Sequence, residues 1–191
     1  MWPWGHAAVG YLLYASFVRL SHRKLPSEAA TVTLAIATQL PDLIDKPLAY
    51  SFVLPEGRSL AHSVLFAVPL CALVWYFVDQ EDRYVREAFV VGYASHLLAD
   101  SYGVLLAGRF SRASFLLWPI LPSPDYPTES FAGHWDKLIG TLSSVRVDGV
   151  LAGQLPAVVW QALLAVGIAL LWVLDGMPGV RYVFAWVRNR S

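Results

Sequence analysis

Charge is scarce in this chain: 15% of its 191 residues are Asp, Glu, Lys or Arg, where a soluble domain carries about 25%. The charge cancels, 14 basic side chains against 14 acidic ones, so the one-signed basic field that attracts nucleic acid is missing, which argues against nucleic acid as a partner. The single cysteine, Cys71, excludes an intramolecular disulfide. Set between Leu70 and Ala72, it reads as a small apolar residue and not as a redox centre. The sequence has no low-complexity tract, no internal repeat and no HExxH protease signature. Met1 to Trp4 also lack Lys and Arg, while Arg19, Arg23 and Lys24 follow the first apolar run. That polarity is the reverse of a cleavable signal peptide.

What remains is apolar: 57% of the residues are hydrophobic and the mean hydropathy is +0.50. Three runs approach the roughly 20 residues needed to span a bilayer as helix: Leu60 to Val78, Glu87 to Leu106 and Pro156 to Leu174. His6 to Leu20 and Ala29 to Leu40 are shorter helical runs. The expected fold is all-α, a transmembrane helical bundle of about five spans in a single domain over residues 1–191, with a long non-cytoplasmic loop between spans four and five. The basic segment Arg19 to Glu28 sets the orientation, because positive loops stay cytoplasmic. Met1 is then outside and the tail, with Arg181, Arg188 and Arg190, inside. That tail interleaves its arginines with Tyr182, Phe184 and Trp186, a pattern suited to the headgroup plane.

Alternation along five spans carries the main functional inference. His6 begins span one, Asp42 and Asp45 end span two, Arg58 and His62 open span three, and His96 and Asp100 lie in the second half of span four. An up-and-down bundle brings all of them toward one membrane face. His96 and Asp100 are four residues apart, so they share one helical face. Ionisable groups inside a span need a partner, a metal or a wet cavity to offset their desolvation. Pro41, Asp42, Leu43, Ile44, Asp45 puts two carboxylates three apart after a helix-weakening proline. They can cap a helix end or ligate metal, and His62 alone would read as interfacial. Beside a metal, Arg58 becomes a clamp for phosphate or carboxylate. His22, among Arg19, Arg23 and Lys24, belongs to the other face. His134 and Asp136 sit in the long loop with Trp118, where a lid over the site would form.

Imidazoles mixed with carboxylates suit zinc, with manganese or iron as alternatives; magnesium and calcium would not call for the imidazoles. His6, Asp42, Asp45, His62, His96 and Asp100 outnumber the ligands of one catalytic zinc, so one or two ions are expected. A spare carboxylate, Asp42 or Asp45, would bridge the metals or orient the nucleophile.

These residues resemble the family of membrane-bound metal-dependent hydrolases, also described as LexA-binding, inner-membrane-associated hydrolases. The resemblance rests on His6 with Gly10, Pro41 to Asp45, Arg58 with His62 and Ser63, His96 with Asp100, and Trp118 with Pro119, which together span residues 6 to 119. The apolar segments are also similar to versions from halophilic archaea. The order histidine, aspartate, histidine, then histidine four before aspartate is similar to part of the zinc-dependent phospholipase C pattern. That likeness implies His6, one of Asp42 or Asp45, His62, His96 and Asp100 as ligands. The implied activity is hydrolysis of a phosphoester in a membrane lipid, with catalytic roles for Asp42, Asp45 and Arg58, and Arg58, Ser63, Trp118 and His134 beside the substrate. Two rivals are a zinc amidase acting on lipid amides and a non-enzymatic metal-binding protein or transporter.

Overall fold

A proline at the first helical turn, where its missing N–H leaves nothing unsatisfied, opens α1 at Pro3–His22. The computed structural model describes residues 1–78, 83–125, 131–143 and 156–189. Among them every regular element is helical: α2 (Glu28–Ala37), α3 (Leu40–Tyr50), α4 (Val64–Phe77), α5 (Arg83–Leu106), a 3₁₀ segment (Phe110–Leu117), α6 (Phe131–Ser143), α7 (Ala157–Leu174) and α8 (Val180–Arg188). The expected all-α class is observed.

Side-chain ties fix the direction of each long helix. At one end His6 of α1 meets Asp100 of α5 at 3.4 Å, Trp2 N–H donates to Gln161 of α7 at 2.9 Å, and the Thr38 carbonyl after α2 accepts from His96. At the other end Tyr14 reaches the Tyr84 carbonyl, His22 pairs with Glu87, Arg19 with Asp175, Arg86 with the Trp75 carbonyl and Glu28 with Gly179 N–H. Helices α1, α2, α4, α5 and α7 therefore alternate up and down, in the order read from the sequence.

Their lengths differ from that reading. Only Tyr84–Leu106 and Ala157–Leu174 are, among the described residues, long and apolar enough to cross a membrane. At 1.5 Å per residue, the 10 residues of α2 and the 14 of α4 cover about 15 and about 21 Å, against a hydrocarbon core about 30 Å thick. Five full spans are thus not what the helices supply. The third run also starts later than expected. Residues 51–63 form turns and bends, and the helix begins only at Val64, where the Ser63 hydroxyl accepts from Leu65 N–H at 3.1 Å. The expected long loop before α7 contains the 3₁₀ segment and α6.

Two apolar clusters hold the bundle. Tyr11, Tyr14, Ala15 and Val18 of α1 pack on Ala30 and Leu34 of α2 and Ala88 of α5; Ala67 of α4 packs on Tyr93 and Leu97 of α5. Small residues let the backbones close in, as in membrane helix packing. A Cβ on Gly92 would lie 2.9 Å from the Ala37 Cβ and 3.0 Å from the Leu34 carbonyl, and one on Gly10 would lie 2.4 Å from Thr38 Cγ2. Outward, Val68, Tyr76 and Phe77 of α4 and Val166, Leu170 and Val173 of α7 stay exposed. An apolar surface of that extent marks a lipid or protein contact face.

Candidate metal centre

The break between α2 and α3 builds one wall of the site. Thr38 caps the C-terminal end of α2, where a helix leaves its last carbonyls without helical partners, and its carbonyl accepts from His96 Nδ1 at 2.6 Å. A carbonyl can only accept, so the His96 proton is on Nδ1 and Nε2 carries a lone pair.

Asp45 sets the second ring in the same way. Its carboxylate accepts from the backbone N–H groups of Ser59 at 2.8 Å, Ala61 at 2.8 Å and His62 at 3.2 Å, and from His62 Nδ1 at 2.8 Å. The chain from Ser59 to His62 is wrapped around one buried carboxyl group, which explains why no helix forms there. Expected from sequence as a ligand or catalytic carboxylate, Asp45 has its oxygens committed to N–H groups; its observed position is that of a group orienting His62. Tyr93 of α5 braces the same segment through a 2.6 Å bond to the Ala61 carbonyl.

With both Nδ1 atoms occupied, His62 Nε2 and His96 Nε2 face each other at 3.1 Å. Asp42 Oδ1 lies 3.6 Å from the first and 3.9 Å from the second. Asp100 Oδ2 lies at 3.6 Å and 3.8 Å. Asp42 Oδ1 and Asp100 Oδ2 thus each approach both Nε2 atoms. His6 stacks on His96 with ring centroids 3.8 Å apart, and its Nε2 is 3.4 Å from the other oxygen of Asp100. Both His6 nitrogens are buried without a hydrogen-bond partner among the described residues, an expensive arrangement for a polar ring. Two His/Asp groups able to hold an ion result: Asp42, His62 and His96, and His6, His96 and Asp100.

Charge around the centre is arranged from both sides. Burial pushes the Asp42 carboxyl up, but Lys46, His96 and His62 outweigh it and hold the group below the ordinary carboxylate range; Lys46 Nζ is 2.7 Å from Asp42 Oδ2. Burial pushes His62 down, yet its contacts with Asp100, Asp45 and Asp42 raise it above an ordinary histidine. Arg58 reaches Asp100 Oδ2 at 2.9 Å and is a quarter exposed, with its guanidinium over the buried Phe115 ring at 5.8 Å. It arrives from the non-helical segment, not from a helical turn above His62. The Met1 amine lies 2.6 Å from Asp100 Oδ1.

Other expected residues play different parts. The Ser63 hydroxyl caps α4 and donates to the Trp118 carbonyl at 2.6 Å, so Trp118 joins this region through its backbone. His134 falls within α6, but its side chain lies outside the described residues, and Asp136 is exposed. His22 is at the far end, as expected. Thr38, Tyr93 and Phe115 escaped sequence reasoning. Only Thr38 had a signal, its place three residues before Pro41.

The family model of the YdjM inner membrane protein matches residues 1–180, and the chain belongs to that family. No curated protein and no solved structure matches it. The comparisons therefore extend neither to the phospholipase C fold nor to a halophilic source.

Proposed function

We propose that this member of the YdjM inner membrane protein family is a membrane-embedded, metal-dependent hydrolase acting on a phosphoester of a membrane lipid. One observation carries the metal: two buried imidazole Nε2 atoms 3.1 Å apart, each with its Nδ1 proton already engaged. Facing lone pairs repel unless a cation or a proton lies between them. With metal–nitrogen distances of about 2.0–2.1 Å, two tetrahedral ligands sit roughly 3.3 Å apart, close to the separation here. The donors fit zinc, manganese or iron. His62, His96 and Asp42 would hold one ion. His6 and Asp100 would help to hold a second, Asp100 Oδ1 facing His6 and its Oδ2 facing the other two rings.

Such an ion supplies a more acidic water and stabilises charge on the ester oxygens. The chain's own residues do the rest. Thr38 and Asp45 fix the ring tautomers, an outer-shell role that sets ligand basicity. Arg58, buried on its Asp100 side and partly open on the other, would grip a phosphate oxygen, and Phe115 supports its guanidinium. The exposed apolar faces and family membership favour a lipid substrate. For the five alternating helices, we infer that α1, α2 and α4 pass through a locally thinned or protein-lined layer beside α5 and α7. Arg19, Arg23 and Lys24, at the end away from the metal centre, favour that end as cytoplasmic, with the centre outside.

The test is turnover of phospholipid and of short phosphoesters by metal-loaded protein, with Arg58→Ala and Arg58→Lys alongside. Arg58→Ala is expected to keep its metal and lose transition-state stabilisation of roughly 2–4 kcal/mol; Arg58→Lys should recover part of it. Full activity in Arg58→Ala would favour the amidase, and metal binding without turnover of any ester or amide the non-enzymatic reading.

A further inference from the structure

A second cation stands at the metal centre. Lys46 follows Asp45 on α3 and lies one turn beyond Asp42, whose Oδ2 accepts from its ammonium at 2.7 Å. A surface Asp–Lys pair at that spacing is ordinarily a weak contact. Here the acid is a candidate ligand and only 12% exposed, while the lysine side chain is a third exposed. Its head therefore links the buried centre to the outside. Arg58 stands in the same relation to Asp100, through a contact of 2.9 Å.

The fold brings the two cations to one wall. Asp45 draws the segment from Ser59 to His62 onto α3, and the residues just before it come alongside Lys46: a Cβ on Gly57 would lie 3.6 Å from Lys46 Cγ, an ordinary packing distance. Asp42 and Asp100 each approach His62 Nε2 at 3.6 Å, one carrying Lys46 and the other Arg58. The charges follow from this arrangement. Lys46 and Arg58 offset the two carboxylates, and His62 and His96 would ligate as neutral rings, so the charge of a bound ion is left for the substrate to balance. A phosphodiester brings one negative charge and two unesterified oxygens, whereas a phosphomonoester brings about two charges and three such oxygens.

We propose that Lys46 is a specificity-determining residue which, with Arg58, selects a terminal phosphomonoester group over a phosphodiester. Three oxygens then meet three partners: the metal centre, Arg58 and Lys46, whose ammonium has three donors and gives one to Asp42. A diester turns an uncharged ester oxygen toward one of those partners, and a hydrogen bond to an uncharged acceptor is roughly half as strong. This selectivity rests on the metal-dependent phosphoesterase reading and narrows the substrate to a lipid ending in a bare phosphate.

The experiment measures binding to the zinc-loaded full chain in nanodiscs by calorimetry, with zinc content read on every sample. The probes are methylphosphonate and dimethylphosphinate, which resist hydrolysis and carry three and two charged oxygens, at a pH where the first is a dianion. Wild-type protein is expected to bind methylphosphonate about 10-fold or more tightly than dimethylphosphinate, the size of one hydrogen bond to a charged group. Lys46→Gln should keep its zinc and its affinity for dimethylphosphinate but lose the preference; Lys46→Arg should restore most of it. Equal wild-type affinity for the two anions, a preference retained in Lys46→Gln, or an equal loss of both anions there would overturn the proposal. So would loss of zinc from Lys46→Gln, which would assign Lys46 to Asp42 alone. Two competitors identify what carries the phosphate: a phosphonate analogue of phosphatidic acid in the nanodisc is expected to displace methylphosphonate, and displacement by the analogue of glycerol phosphate alone would overturn the lipid as carrier. Binding needs no turnover, so the preference without hydrolysis of any ester sinks the hydrolase reading alone, and ester hydrolysis without the preference sinks the selectivity alone.

Discussion

His62 and His96 point their Nε2 atoms at each other across 3.1 Å while Asp45 and the Thr38 carbonyl hold their Nδ1 protons on the far sides. Each ring is fully buried and is turned so that its Nε2 could hold an ion. The raised affinity of His62 for a proton has the same origin: the carboxylates that favour a cation at this point also favour a proton, and the two compete for one place.

Asp45→Asn tests the orienting role. The amide offers one acceptor where the carboxylate offers two and cannot present the same negative charge to His62 Nδ1. Metal affinity is expected to fall about 10–100-fold, read by competition against a chromophoric chelator, with helix content retained. An unchanged affinity would assign Asp45 to the segment's fold alone.

Gly92→Ala tests whether helix approach sets the site. The added methyl would lie within 3.0 Å of α2 backbone, so α2 must move from α5, carrying the Thr38 carbonyl off His96. A loss of about 1–3 kcal/mol in stability is expected with weakened metal binding, although no ligand is altered. Thermal unfolding and metal content on one sample check it; full metal binding with wild-type stability would contradict it.

Glu28 gives a pH-dependent contact far from the site. Burial pushes its carboxyl up, but hydrogen bonds from Gly179 N–H, Arg181 and Tyr182 N–H, with the Arg181 charge, hold it below its ordinary value of 4.5. A depressed folded value means the tie is fully present above the unfolded value and is lost as pH falls through the folded one. Amide exchange at the start of α8, corrected for intrinsic rates, is expected to rise below about pH 4.5 and to be high at all pH in Glu28→Gln. Exchange indifferent to both changes would remove Glu28 as the anchor of α8.

The proposed sidedness rests on the basic end. Single cysteines at Ser21 and at Tyr50, in a Cys71→Ala background, should differ in intact cells: Tyr50→Cys labelled from outside and Ser21→Cys only after permeabilisation. The reverse pattern would invert the orientation.

Helix order was legible in the sequence because each long apolar run coincides with a helix, and His96 with Asp100 was legible because a four-residue spacing has one geometric meaning in a helix. The segment from Arg58 to Ser63 was not. Its apolar residues read as the start of a span, and nothing local signals that Asp45, 14 to 17 residues earlier, captures its N–H groups. The Thr38 carbonyl was invisible for a related reason: every residue has a carbonyl, and only the tertiary fold shows which one is left over. The count of five spans is not confirmed by helix length, since α2 and α4 are apolar but short.

Metal per chain is the most direct measurement of the central claim. Elemental analysis of purified wild-type protein is expected to find one or two zinc, manganese or iron ions per chain, and His62→Ala and His96→Ala to lose most of that metal while remaining helical. The same metal content in all three proteins, or none in the wild type after loading, would contradict the metal centre.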